Sequence, residues 1–467
     1  MNNNILTLAD SYKYSHAKQY PSMVSMYDYM ESRGGQYPAT MWVGLNYYLK
    51  QYLKVMPTLA EVDKAAARAS AHGVPFDYEG WQHIAKLGYF PVTIKSIPEG
   101  SLVPVRNVLL TIESTDSAVP WAAGFLETLL MKVWYPTTVA TKSYYVKKML
   151  EKYGSPEWAQ FAYHNFGDRG SSSVESAAIG GFAHLTQFMG TDNFNSLDFC
   201  EEFYGAELAG YSVFATEHST TTAHGRDGEE NFVYTKLLEN PEAPIMSFVA
   251  DSYDVYNFTE FCTAKGSRIR ELVESRPHQK LVLRPDSGDA IEVITRMLSI
   301  MSNNRIEGWN SGPGALFTDF AILWGDGITP QTIELILGLT GTSGYAAENF
   351  VFGSGGDLMQ NVNRDTQRFA IKCSSITVER PDIALLTNPP QKVYEQIDVY
   401  KDPITAPGKK SKKGKVTTWF NTETKEYSTS LISQQPSPHH INALQTVFEN
   451  GQLIINPSLE GIRSRAN

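Results

Sequence analysis

Apolar positions keep different rhythms in different parts of this chain, and each rhythm predicts its own architecture. Over residues 1–120 the pattern is mixed. Helical spacing near 40–54 and 58–70 gives way to alternation in FPVTIKSIPEGSLVPVRNVLLTIEST, which predicts antiparallel strands broken at Pro-Glu-Gly. Residues 121–152 read as two helices separated at Pro136. Ser172 and Glu175 have capping-box spacing, so a helix is expected just after Arg169-Gly170. Between Pro244 and Asp357 one arrangement occurs four times: a short apolar run, a loop of acids and glycines, then a helical pattern. The runs are IMSFVADSYD (245–254), KLVLRPDSGD (280–289), FAILWGDG (320–327) and FVFGSGGD (350–357). Continuous apolar runs suit strands buried on both faces, which belong to parallel sheets covered by helices. After about 366 alternation returns in FAIKCSSITVE and VTTWFNTETKEYSTSLIS, predicting a second, β-rich lobe.

In such a sheet Asp251, Asp286, Asp326 and the Gly355-Gly356 pair gather at the strands' C-terminal ends. That edge is where α/β barrels and doubly wound sheets bind ligands. Carboxylates hold metals or hydroxyls, and glycines bring backbone N–H groups close to phosphate. Together the loops describe a site for a phosphorylated, hydroxyl-bearing ligand. An N-cap role for Asp251 and Asp286 is the competing reading.

Composition narrows the class. The 467 residues are 42% apolar and 12% aromatic, ample for a large core or two to three domains. A net charge of −10 argues against nucleic acid or an anionic membrane as main partner. Cys200, Cys262 and Cys373 are far apart with no CxxC pair, which suits reduced thiols and disfavours a cysteine zinc site. The start MNNNILTLADSYK lacks a basic, apolar leader and no run reaches transmembrane length, so a soluble, cytoplasmic protein is expected.

Three further stretches carry candidate chemistry. In HNFGDRG (164–170), Arg169 and Gly170 precede a helix head, which suits a phosphate site or an ordinary cap. In YSVFATEHSTTTAHG (211–225), Glu217 can orient His218. The spacing to His224 is not that of a zinc helix, and no GxSxG elbow exists. KDPITAPGKKSKKGK (401–415) has six lysines and one acid, a solvated loop on charge alone.

Taken in order, LADSYKYSHAKQYP, PEG…RNVLLTIESTD, WYPTTVAT, HNFGDRG, GTD, GYSV…EHST, DSYDVYN, RPDSG, GDG, FGSGG and KDP…KKSKKGK resemble the nicotinamide phosphoribosyltransferase family over nearly the whole chain, more weakly at 55–90 and after 420. The resemblance implies an irregular α/β barrel of the type II phosphoribosyltransferase kind with a flanking β-rich lobe. The segments would be 1–135 (mixed, β-lobe and dimer interface), 136–365 (barrel) and 366–467 (β-rich). It implies condensation of nicotinamide with phosphoribosyl pyrophosphate, with Mg²⁺ and with ATP as co-substrate phosphorylating His218 beside Glu217. A homodimer with shared sites is implied. Phe166 and, from the second subunit, Tyr12 would sandwich the pyridine, and Asp192 would accept the carboxamide N–H. Arg284, Ser247, Asp251 and Asp286 would serve ribose, phosphate and metal, directly or through waters. Arg169, Gly325, Asp326, Gly355, Gly356 and Arg364 would take the phosphoribosyl end, and Arg33, Lys401 and Lys409 the pyrophosphate or nucleotide phosphates. That moves the lysine run towards a mobile phosphate-gripping loop. Asp168 departs from the aromatic carried by vertebrate relatives, and loops near 155–162 and 305–315 look shortened. The alternatives are a nicotinate phosphoribosyltransferase, which Asp192 disfavours, and a non-catalytic nucleotide-binding relative.

Overall fold

The four apolar runs fold as the strands Ile245–Val249, Lys280–Arg284, Phe320–Trp324 and Phe350–Ser354. The structure, a computed structural model, describes residues 4–304, 307–308, 314–384, 391–406 and 409–466. Most of the expected loop difference near 305–315 therefore lies outside the described residues. All four strands pair in parallel, flanked by Tyr163–Asn165 on one side and Phe214–Ala215 on the other. Between those two edges Asn165 bridges in parallel to Thr191, and Gly190 to Tyr211. Thr191 N–H donates to the Tyr211 carbonyl at 3.0 Å, and Tyr211 N–H to that of Met189 at 2.7 Å. Tyr211 lies just before Phe214, so this seam carries the ladder round to its own start. The result is an irregular α/β barrel.

Helices Val255–Thr263, Ala290–Asn303 and Pro330–Thr342 follow three of the strands. Their N-caps are Asp254, Asp289 and Thr329. Asp254 Oδ1 accepts from the N–H groups of Tyr256 and Asn257, and Asp289 Oδ1 from those of Ile291 and Glu292. Capping thus falls three residues beyond Asp251 and Asp286 and leaves those two carboxylates at the sheet edge.

The chain divides into two compact units. The barrel unit comprises Lys142–Glu201 and Glu207–Val362; the other comprises Met1–Thr141, Glu202–Ala206 and Asn363–Asn467. The second unit is built on an antiparallel sheet ordered Tyr394–Asp398, Phe369–Glu379, Ser25–Ser32, Val108–Ser114, Val92–Ser96, Gln445–Glu449, Gln452–Leu453. Phe369–Glu379 is the stretch FAIKCSSITVE, and it pairs along its length with Ser25–Ser32. VTTWFNTETKEYSTSLIS forms the hairpin of Val416–Asn421 with Tyr427–Leu431.

Three local expectations are corrected. The helix after Arg169-Gly170 starts at Val174, and its capping box joins Ser173 to Ser176, not Ser172 to Glu175. In a run of three serines any hydroxyl can cap, and the turn Asp168–Gly170 sets which one does. Pro136 does not separate two helices; it lies in the first turn of Trp134–Leu150, where its missing N–H breaks no hydrogen bond. The helical stretch 40–54 opens instead with the strand Ala39–Trp42, and its helix is Leu45–Tyr52.

Candidate active site

Strand alternation decides which side chains face one side of the sheet. Ser247 lies opposite Val282, Val282 opposite Ala321, and Leu323 opposite Val351. Val282, Ala321 and Leu323 form a buried cluster against which Phe166, Ile245 and Val351 pack. Two residues further along the strands the same face presents Arg284, Gly325 and Gly353. A Cβ on Gly353 would come within 2.0 Å of the Phe166 ring, and one on Gly325 would lie 2.9 Å from Asp286 Oδ1 and 3.8 Å from that ring. The two glycines make the space that the Phe166 ring and the Asp286 carboxylate occupy. Phe166 is held there by its N–H, which donates to the Ser354 carbonyl at 2.9 Å.

Polar groups around this ring are only partly satisfied. Arg284 Nη2 donates to the Thr216 carbonyl at 2.9 Å. Its Nε is buried, as are the hydroxyls of Ser247 and Ser252, and none of the three has a partner among the described residues. A buried polar atom left unpaired costs about 1–3 kcal/mol, so orphans clustered at a barrel mouth mark a place for a polar ligand. Ser247 itself is buried within its strand.

His218 is the first residue of the short helix His218–Thr222, capped by Glu217. Its Nε2 lies 2.9 Å from Asp251 Oδ1, while Asp251 Oδ2 accepts from the Ser287 hydroxyl. The carboxylate that orients the imidazole is therefore Asp251, not the neighbouring Glu217, which accepts from the Ser219 hydroxyl. The Asp251 side chain is only 7% exposed, whereas that of His218 is 49% exposed, so the pair presents a supported ring to solvent. The Asp286 carboxyl titrates above the ordinary range, chiefly through burial. The Arg284 charge and then His218 oppose that rise, and Asp251 and Asp326 add to it. Asp326 is exposed, with its carbonyl accepting from Trp324 Nε1 at 2.6 Å.

Asp192 ends the seam segment, its N–H bonded to the Asn165 carbonyl at 3.0 Å, one residue before Phe166. Ser212 Oγ donates to Asp192 Oδ1 at 2.6 Å. Burial lowers the His164 pKa, and the Asp192 charge opposes that shift. Arg169 is exposed in the turn Asp168–Gly170. A Cβ on Gly355 would sit 3.0 Å from the Phe166 carbonyl, whereas Gly356 is open. The barrel unit therefore gathers Phe166, Asp192, Glu217, His218, Ser247, Asp251, Arg284, Asp286, Gly325, Asp326, Gly355 and Gly356, with Arg169 in the loop after Phe166.

The remaining candidates belong to the other unit. Tyr12 is 55% exposed in the turn Ser11–Lys18, its ring tilted against His16. Arg33 pairs with Glu31 at 3.1 Å and Arg364 with Asp365 at 3.3 Å. In the lysine run, Lys410 pairs with Asp402, Lys412 with Glu31 and Lys415 with Glu113. Lys401 and Lys409 are exposed and reach no carboxylate among the described residues. Sequence reasoning missed Ser287, Ser212 and Thr216. Ser287 stands in the RPDSG loop beside Asp286, so its place in the sequence was the available signal.

Comparison with known proteins agrees with this geometry. Residues 161–452 match the nicotinate phosphoribosyltransferase (NAPRTase) family, and residues 4–94 match the N-terminal domain of nicotinamide phosphoribosyltransferase. The chain is 40% identical to a nicotinamide phosphoribosyltransferase of Xanthomonas campestris, covering 99% of this chain and 98% of that protein. It is 30% identical to one of Acinetobacter baylyi, covering 81% and 76%. In fold it resembles a nicotinate-nucleotide pyrophosphorylase from Pyrococcus furiosus, with TM-score 0.60 and 14% identity over 99% of this chain and 94% of that one. A human nicotinic acid phosphoribosyltransferase follows at 0.55 and 15%, over 98% and 92%.

Proposed function

We propose a mechanism from one premise: the chain belongs to the nicotinate phosphoribosyltransferase family, and within it acts as a nicotinamide phosphoribosyltransferase of NAD salvage. Its substrates are nicotinamide and phosphoribosyl pyrophosphate. The pyridine nitrogen attacks C1 of the ribose, the C1–O bond breaks, and pyrophosphate leaves with the electron pair. Positive character grows on the sugar and negative charge on the departing oxygens, so cations belong on the leaving side. The Phe166 ring in its two-glycine recess supports this reading most directly. It offers a flat apolar surface beside Arg284, Asp286 and Asp251, as a weak ring nucleophile beside a phosphorylated sugar requires.

In this reading Phe166 forms one wall of the pyridine slot, and Tyr12 of a second copy of the chain forms the other, making the active species a homodimer. Asp192 accepts from the carboxamide N–H and repels a carboxylate, which favours nicotinamide over nicotinate. Arg284 and Ser247 complete their unpaired donors on the ribose and its phosphate. Gly325, Asp326, Gly355, Gly356, Arg169 and Arg364 take the phosphoribosyl end, and Arg33, Lys401 and Lys409 the pyrophosphate or nucleotide phosphates. His218 accepts the γ-phosphoryl group of ATP at Nδ1 as the bond to the β-phosphate oxygen breaks and ADP leaves with its electron pair, while Asp251 holds the proton on Nε2 and Glu217 sets the helix turn that carries the ring.

The acids fit magnesium held mainly by substrate. No group of three or more His, Cys, Asp or Glu among the described residues forms a metal cage. Both Asp251 oxygens already have protein partners. One or two carboxylates with phosphates and waters is the usual magnesium environment, and Asp251 and Asp286 would supply them. When bound there, the ion would offset charge on the leaving pyrophosphate. Around Asp286, the Arg284 and His218 charges oppose the rise that burial imposes on its carboxyl.

The deciding assay offers purified protein phosphoribosyl pyrophosphate, Mg²⁺ and either pyridine, with and without ATP. Nicotinamide mononucleotide should form, faster with ATP. Preference for nicotinate, or no mononucleotide from either pyridine, would overturn the reading.

A further inference from the structure

Among the described residues the mechanism leaves the buried cations Lys13, Lys142 and Lys147 unused, and Lys142 alone of them meets the glycine loop. Lys142, in the helix Trp134–Leu150, is 4% exposed. Its Nζ donates to the main-chain carbonyl of Asp357 at 2.6 Å and lies 2.6 Å from Asp357 Oδ2. The Asp357 side chain is itself 13% exposed, and its other oxygen accepts from Asn361 Nδ2 at 3.0 Å. Asp357 directly follows Gly355-Gly356 and lies in the single helical turn Gly356–Met359. Gln360 ties the same turn to the Arg169 loop through Ser171 Oγ at 3.2 Å. Burying an ammonium is costly, and here the burial lowers the Lys142 pKa while Asp357 raises it. A cost of that kind is retained where two contacts on one residue fix something that packing alone does not. The residues before Asp357 are glycines, one of them with open space where a Cβ would be, so the loop has little side-chain packing of its own.

We propose that Lys142 is the positioning residue of the phosphate loop. It pins Asp357 by carbonyl and carboxylate at once, and so fixes the direction in which the Gly355 and Gly356 N–H groups point at the phosphoribosyl end of the substrate. It does not touch substrate. Its second effect is to cancel the Asp357 charge, which would otherwise repel the phosphate. This inference rests on the reading that the Gly355-Gly356 loop takes that phosphate.

Lys142→Met alone leaves a buried, unpaired Asp357 and is prone to misfold, so the double variant Lys142→Met/Asp357→Asn carries the test. It removes both contacts without stranding a charge. The KM for phosphoribosyl pyrophosphate should rise about tenfold or more. The KM for nicotinamide should stay within about twofold, and the melting temperature close to wild type. A double variant with unchanged KM for phosphoribosyl pyrophosphate overturns the proposal. So does one in which both KM values and the melting temperature move together, which would reduce Lys142 to a packing residue. Gly356→Glu separates this from failure of the underlying reading. It places a carboxylate in open space on the loop and should abolish phosphoribosyl pyrophosphate binding. If Gly356→Glu binds it normally, the loop is not the phosphate site, whatever Lys142 does.

Discussion

Replacing Asp192 with Asn tests the pyridine slot with the least disturbance of shape. The two side chains are isosteric, and Ser212 Oγ can still donate to the Oδ1 that it now meets at 2.6 Å. What changes is charge. A nicotinate carboxylate in the place of the carboxamide would face Asp192 at about 4 Å. Two unit charges at that separation repel by about 4 kcal/mol at an effective dielectric near 20 and about 1 kcal/mol in bulk water. Asp192 is solvent-exposed at the barrel mouth, so a value towards the lower end applies, about 1.5–2 kcal/mol. Nicotinamide keeps a hydrogen-bond acceptor but loses its charge, a penalty of roughly 1 kcal/mol. Both terms move the ratio of kcat/KM for nicotinate over nicotinamide in the same direction. Their sum, about 2.5–3 kcal/mol, is worth roughly 70- to 160-fold. Initial rates with each pyridine at saturating phosphoribosyl pyrophosphate measure that ratio directly. A ratio unchanged within twofold would place Asp192 outside the slot, because no other change accompanies the lost charge.

His218→Ala should abolish incorporation of label from γ-labelled ATP and leave slow ATP-independent condensation. Undiminished acid-labile phosphate in that variant would assign the phosphoryl acceptor elsewhere. Gly353→Ala should push the Phe166 ring out of its recess, since the added carbon would meet it at 2.0 Å. Overpacking of this kind costs about 1–3 kcal/mol, so the KM for nicotinamide should rise about tenfold, and an unaltered value would show that the ring is not the pyridine wall. Asp286→Asn should be inactive yet more stable than wild type at neutral pH. The native fold holds the Asp286 carboxyl above its ordinary range, so the charged form is the disfavoured one. Its destabilising effect is complete above the raised native value and absent below the unfolded value. Melting curves should therefore separate at pH 7.5 and converge as the pH falls below the ordinary carboxyl range; a constant gap across pH would point to packing instead. Mixing inactive Tyr12→Ala and Asp286→Ala subunits, with exchange verified, should restore roughly a quarter of wild-type activity if sites are shared across a twofold dimer. No recovery would return Tyr12 to its own subunit.

The features legible in the sequence were those with a local cause. A strand buried on both faces must be apolar throughout, so Ile245–Val249, Lys280–Arg284, Phe320–Trp324 and Phe350–Ser354 announced themselves, and their C-terminal acids came with them. FAIKCSSITVE was legible as a strand, though its burial is continuous over residues 369–371 and 374–376 and alternates only beyond them. The barrel seam had no such cause. Gly190, Thr191 and Tyr211 join the ladder through isolated bridges, too short to leave a periodicity. They approach closely because Gly190 lacks a Cβ that would otherwise strike the His164 ring at 2.6 Å. Partnerships across long separations were equally silent. Sequence adjacency pointed His218 to Glu217, but a helix N-cap and the next residue project differently, and the imidazole meets Asp251, 33 positions on. Lys142 finds Asp357 across 215 positions, with nothing near either residue to suggest a partner. The capping of Val255–Thr263 and Ala290–Asn303 shows how the two kinds of information combine. Each loop carries acids three apart, Asp251 with Asp254 and Asp286 with Asp289. The sequence alone leaves open which acid caps. Once the second is seen to satisfy the helix N–H groups, the first is released from capping, and Asp251 instead meets His218 and Ser287 at the strand end. A carboxylate kept there, half-buried beside another and costly for that reason, is best explained by what binds to it.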